Sequence, residues 1–401
     1  MSRYSLPLVL ACGSGIAMIS LGERSAFGLF QADMAGAREW GRETFAFAFA
    51  LQNLLWGIGQ PFAGALADRY GTFRVLACGG VMYALALAGT VYMESATAVT
   101  IMFGLLLGIA MSACSFTLVI SAFGRIVSPA QRSLAFGVGT AAGSLGMFLF
   151  GPLAAVLINQ TGWENAMTIF AAIALSVVLF AIPLRGKAEV DRTGPQQSLG
   201  AALKEAIGYK SYVLLVFGFF VCGFHVAFII AHMPSYLVDL GMGPAVGGTA
   251  IALIGLFNVV GSLVAGAIGQ RYSKAYSLAI LYALRSIAIV VFVMVPVTPF
   301  SVIVFSSVMG LLWLSTVPLT SGLVAVMFGP RYMATLFGLV FFSHQVGSFM
   351  GVWLGGLIYA RTGSYDLLWY IGIALGVFAA VVHLPIRDAP SPRLAGAPAA
   401  A

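Results

Sequence analysis

The sequence predicts an all-α membrane protein, with twelve transmembrane helices arranged in two six-helix pseudo-symmetric halves. Three observations predict it. Of 401 residues, 60% are hydrophobic and only 8% are charged. The apolar residues gather into runs long enough to cross a bilayer. Short motifs in the first six runs recur in the last six at a nearly constant shift.

A soluble domain carries about 25% charged residues. With a mean hydropathy of +0.99, this chain lacks the polar surface to face water, so lipid must be its solvent. The net charge of +7 is spread over short loops. That distribution fits membrane topology better than nucleic-acid binding. Cys12, Cys78, Cys114 and Cys222 sit in apolar runs without the paired spacing of a zinc or redox site. They are expected to be small packing residues. The sequence has no Walker loop, metal spacing or catalytic triad. No enzyme, cofactor or metal centre is expected, and nothing in the sequence requires an oligomer.

A bilayer span needs about 20 apolar residues. Twelve runs qualify: 6–30, 43–65, 75–93, 97–123, 133–158, 165–184, 211–233, 246–268, 275–296, 300–327, 333–358 and 367–385. Leu6 onward reads as a first membrane helix, because no small-residue cleavage site leads into a soluble chain. The longest polar stretch, Arg185–Lys210, contains Pro195, Gln196, Gln197 and Ser198. It is the natural linker between a half at 1–184 and a half at 211–401.

An even number of spans puts both termini on one side. That side collects Arg3, Arg69, Arg74, Arg125, Arg132, Arg185, Lys187, Arg192, Lys204, Lys210, Arg271, Lys274, Arg331, Arg387 and Arg393. The opposite loops hold Arg38, Arg42 and Arg361. Fifteen against three places both termini in the cytoplasm of a cell whose inner membrane holds the chain.

The halves repeat at a shift of 201–202 residues. Gly64 with Leu66-Ala-Asp-Arg-Tyr70 matches Gly266 with Ile268-Gly-Gln-Arg-Tyr272. Ala135-Phe-Gly137 matches Leu336-Phe-Gly338, and Thr161-Gly162 matches Thr362-Gly363. Gly22-Glu-Arg-Ser-Ala-Phe27 matches Gly223-Phe-His-Val-Ala-Phe228. Six spans per half make the repeats parallel, related by an axis along the membrane normal. Rocking carriers are built this way, with a substrate site between the halves near mid-depth.

Gly64-Ala-Leu-Ala-Asp68-Arg69-Tyr-Gly71-Thr-Phe-Arg74 lies in the loop between the second and third runs. It resembles the signature loop of the major facilitator superfamily. Gly64 permits close helix approach, and Gly71 permits a tight turn. Asp68 is suited to cap a helix end and pair with a neighbouring arginine. Such a cluster would latch the halves on one side until rocking breaks it. The second copy keeps Arg271 but has Gln270 in place of the acid, so any latch is asymmetric.

A narrower resemblance rests on Glu23-Arg24-Ser-Ala-Phe27-Gly28-Leu-Phe30, Asn53-Leu-Leu-Trp56-Gly57, Gln60-Pro61-Phe62 and His344-Gln345-Val-Gly347-Ser-Phe349. With Gly355-Gly356 and Thr362-Gly363-Ser-Tyr365-Asp366, these look like bacterial members near the monocarboxylate porter and oxalate–formate antiporter families. The resemblance implies secondary transport of a small carboxylate, with a proton or by exchange. It also implies an arginine in the second half that holds the carboxylate. Arg285 is the buried candidate there, although its run is the ninth, usually a peripheral helix.

A charge at bilayer depth costs about 2.5–3.5 kcal/mol or more. Arg24 and Arg285 both fall inside runs. Arg24 is either an anchor for a substrate carboxylate or a cation that snorkels outward or pairs with Glu23 or Asp33. Arg285 lies too deep to snorkel, about 15 Å from the start of its run. Its partner is either a bound anion or a set of helix carbonyls and polar groups such as Asn258. His225 occupies the repeat position of Arg24, and His344 lies near the middle of the eleventh run. Either imidazole could carry a coupling proton, as could Glu23, or each could be a buried neutral group. Gln52, Asn53, Gln345 and Asn258 are candidates to line the path, and Trp56 and Trp313 to wall it. Interhelix packing is the alternative for all of these.

The favoured function is proton-coupled uptake of a small organic anion, probed below against two alternatives. An efflux antiporter for drugs or metabolites would want an acid deep in a first-half span, and a non-transporting sensor would normally bring a soluble domain. The charge asymmetry yields a direct test of topology. A reporter that is active only in the periplasm, fused after Ala401, stays silent, whereas strong activity contradicts the twelve-span arrangement.

Overall fold

A computed structural model describes residues 5–38, 42–185, 197–242 and 244–395. Arg3, Lys187 and Arg192 of the charge count, and Pro195 and Gln196 of the linker, lie outside these residues. So do the side chains of Asp33, Arg38 and Arg42.

Among the described residues there are twelve long helices. In the first half they are helix 1 (Leu6–Arg38), helix 2 (Arg42–Tyr70), helix 3 (Thr72–Tyr92), helix 4 (Ala96–Ile126), helix 5 (Arg132–Thr161) and helix 6 (Trp163–Phe180). In the second half they are helix 7 (Lys210–Asp239), helix 8 (Pro244–Arg271), helix 9 (Lys274–Met294), helix 10 (Pro299–Phe328), helix 11 (Met333–Thr362) and helix 12 (Asp366–His383). Eleven of these are long and apolar enough to cross a bilayer. The twelfth, helix 2, has 29 residues and is more polar because it carries Gln52, Asn53, Gln60, Asp68 and Arg69. Of these, Asn53 and Asp68 bond the opposite half. Among the described residues there are no strands.

Four differences from the predicted runs have physical causes. Helix 1 continues past Phe30 to Arg38. Helix 4 is not continuous: a π-helical stretch, Thr100–Leu106, is followed by Leu107–Ala113, and the chain restarts at Phe116 after Cys114 and Ser115. Helix 10 stops at Leu312 and restarts at Thr316. The two restarts are 200 residues apart, close to the shift of the motif repeat, so the interruption itself repeats. Finally, the expected linker contains a helix, Leu199–Gly208. Ser198 caps it by accepting from the Ala201 N–H, and Leu, Ala, Lys and Glu are good helix formers.

Glycine ends helices 5 and 11 at equivalent places. Gly162 (φ 81°) and Gly363 (φ 69°) adopt the positive φ that other residues avoid. Within the halves, helix 1 packs on helix 5 and helix 7 on helix 11. Between the halves, helix 2 packs on helix 11 and helix 5 on helix 8. The symmetry of a six-helix shift interchanges these two crossings.

The linker helix is tied to the second half. Glu205 accepts from Ser391 Oγ, Gln197 Nε2 and Arg393 Nε, the last at 3.0 Å. Tyr332 OH donates to the Gln197 carbonyl at 2.8 Å, and the Ser391 N–H donates to Met327 O at 2.9 Å. Partial burial pushes the Glu205 carboxyl up, but the hydrogen bonds from Ser391, Arg393 and Gln197 outweigh it and hold it below its ordinary value near 4.5. A depressed carboxyl stabilises the fold above its unfolded value and loses that contribution as pH falls through the folded value. The attachment therefore keeps its strength down to about pH 4.5 and weakens only below it. Limited proteolysis at the linker, followed against pH, checks this. In Glu205→Gln the cutting rate is raised at neutral pH and no longer depends on acid.

Candidate functional site

The site is built where helices 1, 2 and 11 meet at mid-depth. Arg24 on helix 1 is partly buried. Its Nη2 donates to Asn53 Oδ1 of helix 2. The guanidinium lies 5.0 Å from the Trp56 ring centre and 5.9 Å from that of Phe49. Its Nε is buried without a partner. Among the described residues no carboxylate pairs with it. Asn53 donates in turn to Phe49 O at 2.8 Å, the carbonyl one turn back, which fixes its amide.

The second half closes this site from helix 11. Gln345 Nε2 donates to the Asn53 carbonyl at 3.3 Å, and its Oε1 accepts from His344 Nδ1 at 3.1 Å. His344 stacks on Phe341, with centroids 5.4 Å apart and planes 8° apart. Phe341 also meets Trp56 at 5.0 Å and Phe116 at 5.7 Å. Trp56 Nε1 donates to Gln60 Oε1, one turn along helix 2. A cation, three amides, an imidazole and four aromatic rings thus line one meeting point. Phe341 and Phe116 escaped the sequence reading. Their signal would have been aromatic residues in line with His344 and next to the helix 4 interruption.

Other candidates lie elsewhere. Glu23 is fully buried, and neither of its carboxyl oxygens has a partner. Consecutive helical residues diverge by about 100°, so Glu23 and Arg24 face different sectors. Gln52 is fully buried and donates to Phe103 O in the π-helical stretch of helix 4. His225 is fully buried and donates from Nε2 to Gly372 O of helix 12 at 2.7 Å, inside the second half. Asn258 donates to Ser144 Oγ of helix 5 at 2.7 Å and accepts from the Leu314 N–H at 2.9 Å.

Arg285 is fully buried on helix 9. Its Nε and Nη2 donate to Leu312 O at 3.1 and 2.7 Å, and Nη2 also reaches Trp313 O. Those carbonyls are the ones that the helix 10 interruption leaves without helical donors. A cation is favourable at a helix C-terminus, so Arg285 completes the broken helix. Trp313 is 1% exposed, and its backbone forms that break.

The motif expected as a loop is helical except at Gly71, because helix 2 runs through Tyr70 and helix 3 begins at Thr72, and its helix 2 part joins the halves. Asp68 Oδ1 accepts from Arg125 Nη1 at 3.0 Å. Its Oδ2 accepts from the Thr335 N–H at 3.0 Å and from Thr335 Oγ1 at 2.8 Å. Thr335 is in the first turn of helix 11, so a first-half carboxylate caps a second-half helix where the dipole favours negative charge. A Cβ at Gly64 would stand 2.4 Å from Ala334 O, so only glycine allows this approach. Gly71 turns the chain with φ 95°. Arg69 stacks on Tyr70 at 5.1 Å, and Arg74 is exposed.

The family model described as Major Facilitator Superfamily matches residues 12–352. The chain belongs to this superfamily. It is similar, at 26% identity over 91% of each chain, to the uncharacterized MFS-type transporter YcxA of Bacillus subtilis. Human monocarboxylate transporter 11 is 23% identical, over 95% of this chain and 83% of that one. Among solved structures, the proton:xylose symporter XylE superposes with a TM-score of 0.73 at 12% identity, covering 98% of this chain and 99% of that one. The human organic anion transporter MFSD10 gives 0.69 at 16% identity, over 95% and 100%. Both share the fold. The protein is thus a major facilitator transporter and not an enzyme.

Within this major facilitator fold the two buried arginines differ in what they already bond: among the described residues Arg285 holds two backbone carbonyls and keeps Nη1 without a partner, whereas Arg24 holds one amide oxygen and keeps Nε without one. Arg285→Gln removes bonds to two otherwise unpaired carbonyls, each costing about 1–3 kcal/mol when left unsatisfied. It therefore lowers the melting temperature by several degrees while ligand affinity in the folded fraction stays within about twofold. A large affinity loss at unchanged melting temperature would instead make Arg285 a ligand.

Proposed function

We infer that this transporter carries a small organic anion, a monocarboxylate in the first instance, inward together with a proton across the plasma membrane, with linker and termini in the cytoplasm. One observation carries the reading: the Arg24 guanidinium stands at the meeting of the halves beside Asn53 and Trp56 and lacks a carboxylate partner among the described residues. An uncompensated cation in a low-dielectric site is costly, and a bound carboxylate would remove that cost with a planar, forked pair.

The names of the relatives support the same substrate class. Monocarboxylate transporters 11 and 12 recur among them, and one structural neighbour is an organic anion transporter. The ring surface of Trp56, Phe341 and Phe116 suits a short apolar tail. For the proton, Glu23 and His344 are the groups best placed on helices that form the site. His225, turned toward helix 12, is the more remote candidate. An efflux antiporter remains the alternative class, and direction of flux separates the two.

The test is uptake of radiolabelled short monocarboxylates into proteoliposomes with an imposed inward proton gradient, with binding measured alongside. Wild-type protein accumulates the anion and loses accumulation when the gradient is collapsed. Arg24→Lys keeps the charge without the fork and weakens binding about tenfold, and Arg24→Gln weakens it further, each loss of tenfold being 1.4 kcal/mol. Unchanged anion affinity in folded Arg24→Gln removes the arginine from recognition and the physical case for an anionic substrate with it.

A further inference from the structure

The hydrogen bonds that cross between the halves are not spread evenly over depth. Among the described residues they are Thr335 to Asp68, Ser133 Oγ to Gly269 O, Gln345 to Asn53 and Asn258 to Ser144. The first two join the ends nearest the linker. Ser144 stands about 18 Å along helix 5 from that end at 1.5 Å per residue, so the last two mark mid-depth. All four lie at mid-depth or on the linker side of it. Between Ser133 and Ser144, a Cβ at Gly137 would stand 2.7 Å from Ser262 O, so helices 5 and 8 touch at backbone distance there. One turn outward of Asn258, Gly255 has nothing within 4 Å. The halves are therefore shut on the linker side, and Asn258–Ser144 is the rung of that closure farthest from the linker on the helix 5–helix 8 crossing.

Asn258 also holds the helix 10 interruption. Its Oδ1 accepts from the Leu314 N–H at 2.9 Å and from Ser262 Oγ at 3.3 Å, while its Nδ2 donates to Ser144 Oγ at 2.7 Å. Ser144 passes its own proton to Thr140 O at 3.0 Å. Arg285 grips the carbonyls of Leu312 and Trp313 at the same break. Asn258 is thus the side chain through which the broken helix of the second half is bonded to the first half.

We propose that Asn258 is a positioning residue that locks the linker-side closure of helices 5 and 8 and ties it to the shape of the helix 10 break. When the linker side opens, Ser144 withdraws and the Asn258 amide loses a buried acceptor. Its Oδ1 stays with Leu314, so the break is held through the motion while the Nδ2 becomes a free donor facing the new cavity. Closure is favoured by the bond that opening breaks. The inference rests only on a carrier that opens alternately to two sides, not on the anion or the proton.

Hydrogen exchange by mass spectrometry on the purified full chain tests it, with wild type, Ser144→Ala, Ser144→Thr and Asn258→Ala. Loss of one buried hydrogen bond shifts the ratio of two states by about threefold to tenfold. Ser144→Ala raises exchange by that factor at residues 128–137 and 262–272 and lowers it at the outer ends of helices 5 and 8, which close as the linker side opens. Ser144→Thr retains the hydroxyl and behaves as wild type. Asn258→Ala adds faster exchange at 312–316. Wild-type exchange at the linker-side ends in Ser144→Ala overturns the proposal. So does a rise spread over every helix, which marks Ser144 as ordinary packing. If Asn258→Ala does not fold, the Ser144 pair alone decides.

Discussion

A helix broken in the middle of a bilayer leaves carbonyls and an amide that neither helix nor water can satisfy, and the second half is organised around that constraint. Helix 10 stops at Leu312 and restarts at Thr316. Arg285 supplies donors to the carbonyls, Asn258 supplies an acceptor to the Leu314 N–H, and Cys222 Sγ lies 3.2 Å from Thr316 Oγ1. These three come from helices 9, 8 and 7. The break therefore fixes how all three pack around helix 10. A buried cation costs several kcal/mol unless it is well bonded, so Arg285 and the broken helix each make the other tolerable.

The first half meets the same constraint with smaller groups. Helix 4 is interrupted at Cys114 and Ser115, where Ser115 Oγ lies 2.7 Å from Thr117 Oγ1 and Ser112 Oγ donates to Trp56 O at 3.0 Å. Among the described residues no arginine bonds to this interruption. The repeat is thus a repeat of backbone shape more than of chemistry. The asymmetry extends to the ends of the helices that cross between halves. Asp68 caps helix 11 with a full charge, whereas the equivalent end of helix 8 carries Gln270 and meets helix 5 through the Ser133 hydroxyl and the Gly269 carbonyl. A charged joint beside a neutral one gives two crossings of unequal strength, so the halves have a stiffer and a looser edge on the side now shut.

Much of this was legible in the sequence because membrane folds are specified by coarse signals. Apolar runs of bilayer length, their six-and-six division and the Asp68 loop were enough for the class and the family. Interruptions were harder. Helix 10 remains apolar across its break, so hydropathy cannot report it, although Ser315-Thr316 with Pro318 two residues later is a helix-start pattern and Cys114-Ser115 is its near-repeat. With the break unseen, helix carbonyls stayed only one of two open readings for the partner of Arg285. The same gap left Phe341 and Phe116 unmarked, since an aromatic residue in an apolar run carries no sign of whether it meets lipid, a neighbouring helix or the opposite half.

Arg24 and Arg285 show how far composition can go. Each is a lone cation in an apolar run, and by cost of burial alone they are equivalent. Their difference lies in what surrounds them. Arg285 spends Nε and Nη2 on carbonyls that no other side chain reaches among the described residues and keeps Nη1 without a partner, so a substrate that drew Nε and Nη2 to itself would leave the broken helix unpaired. Among the described residues Arg24 bonds a single amide oxygen, and that amide is already anchored to its own helix through Phe49 O. Asn53 therefore orients the guanidinium without neutralising it. The Gln345 bond to the Asn53 carbonyl then ties this oriented cation to the opposite half. A ligand that draws Arg24 toward itself pulls on the contact between helices 2 and 11, which is how occupancy of such a site would be felt by the joint that must open.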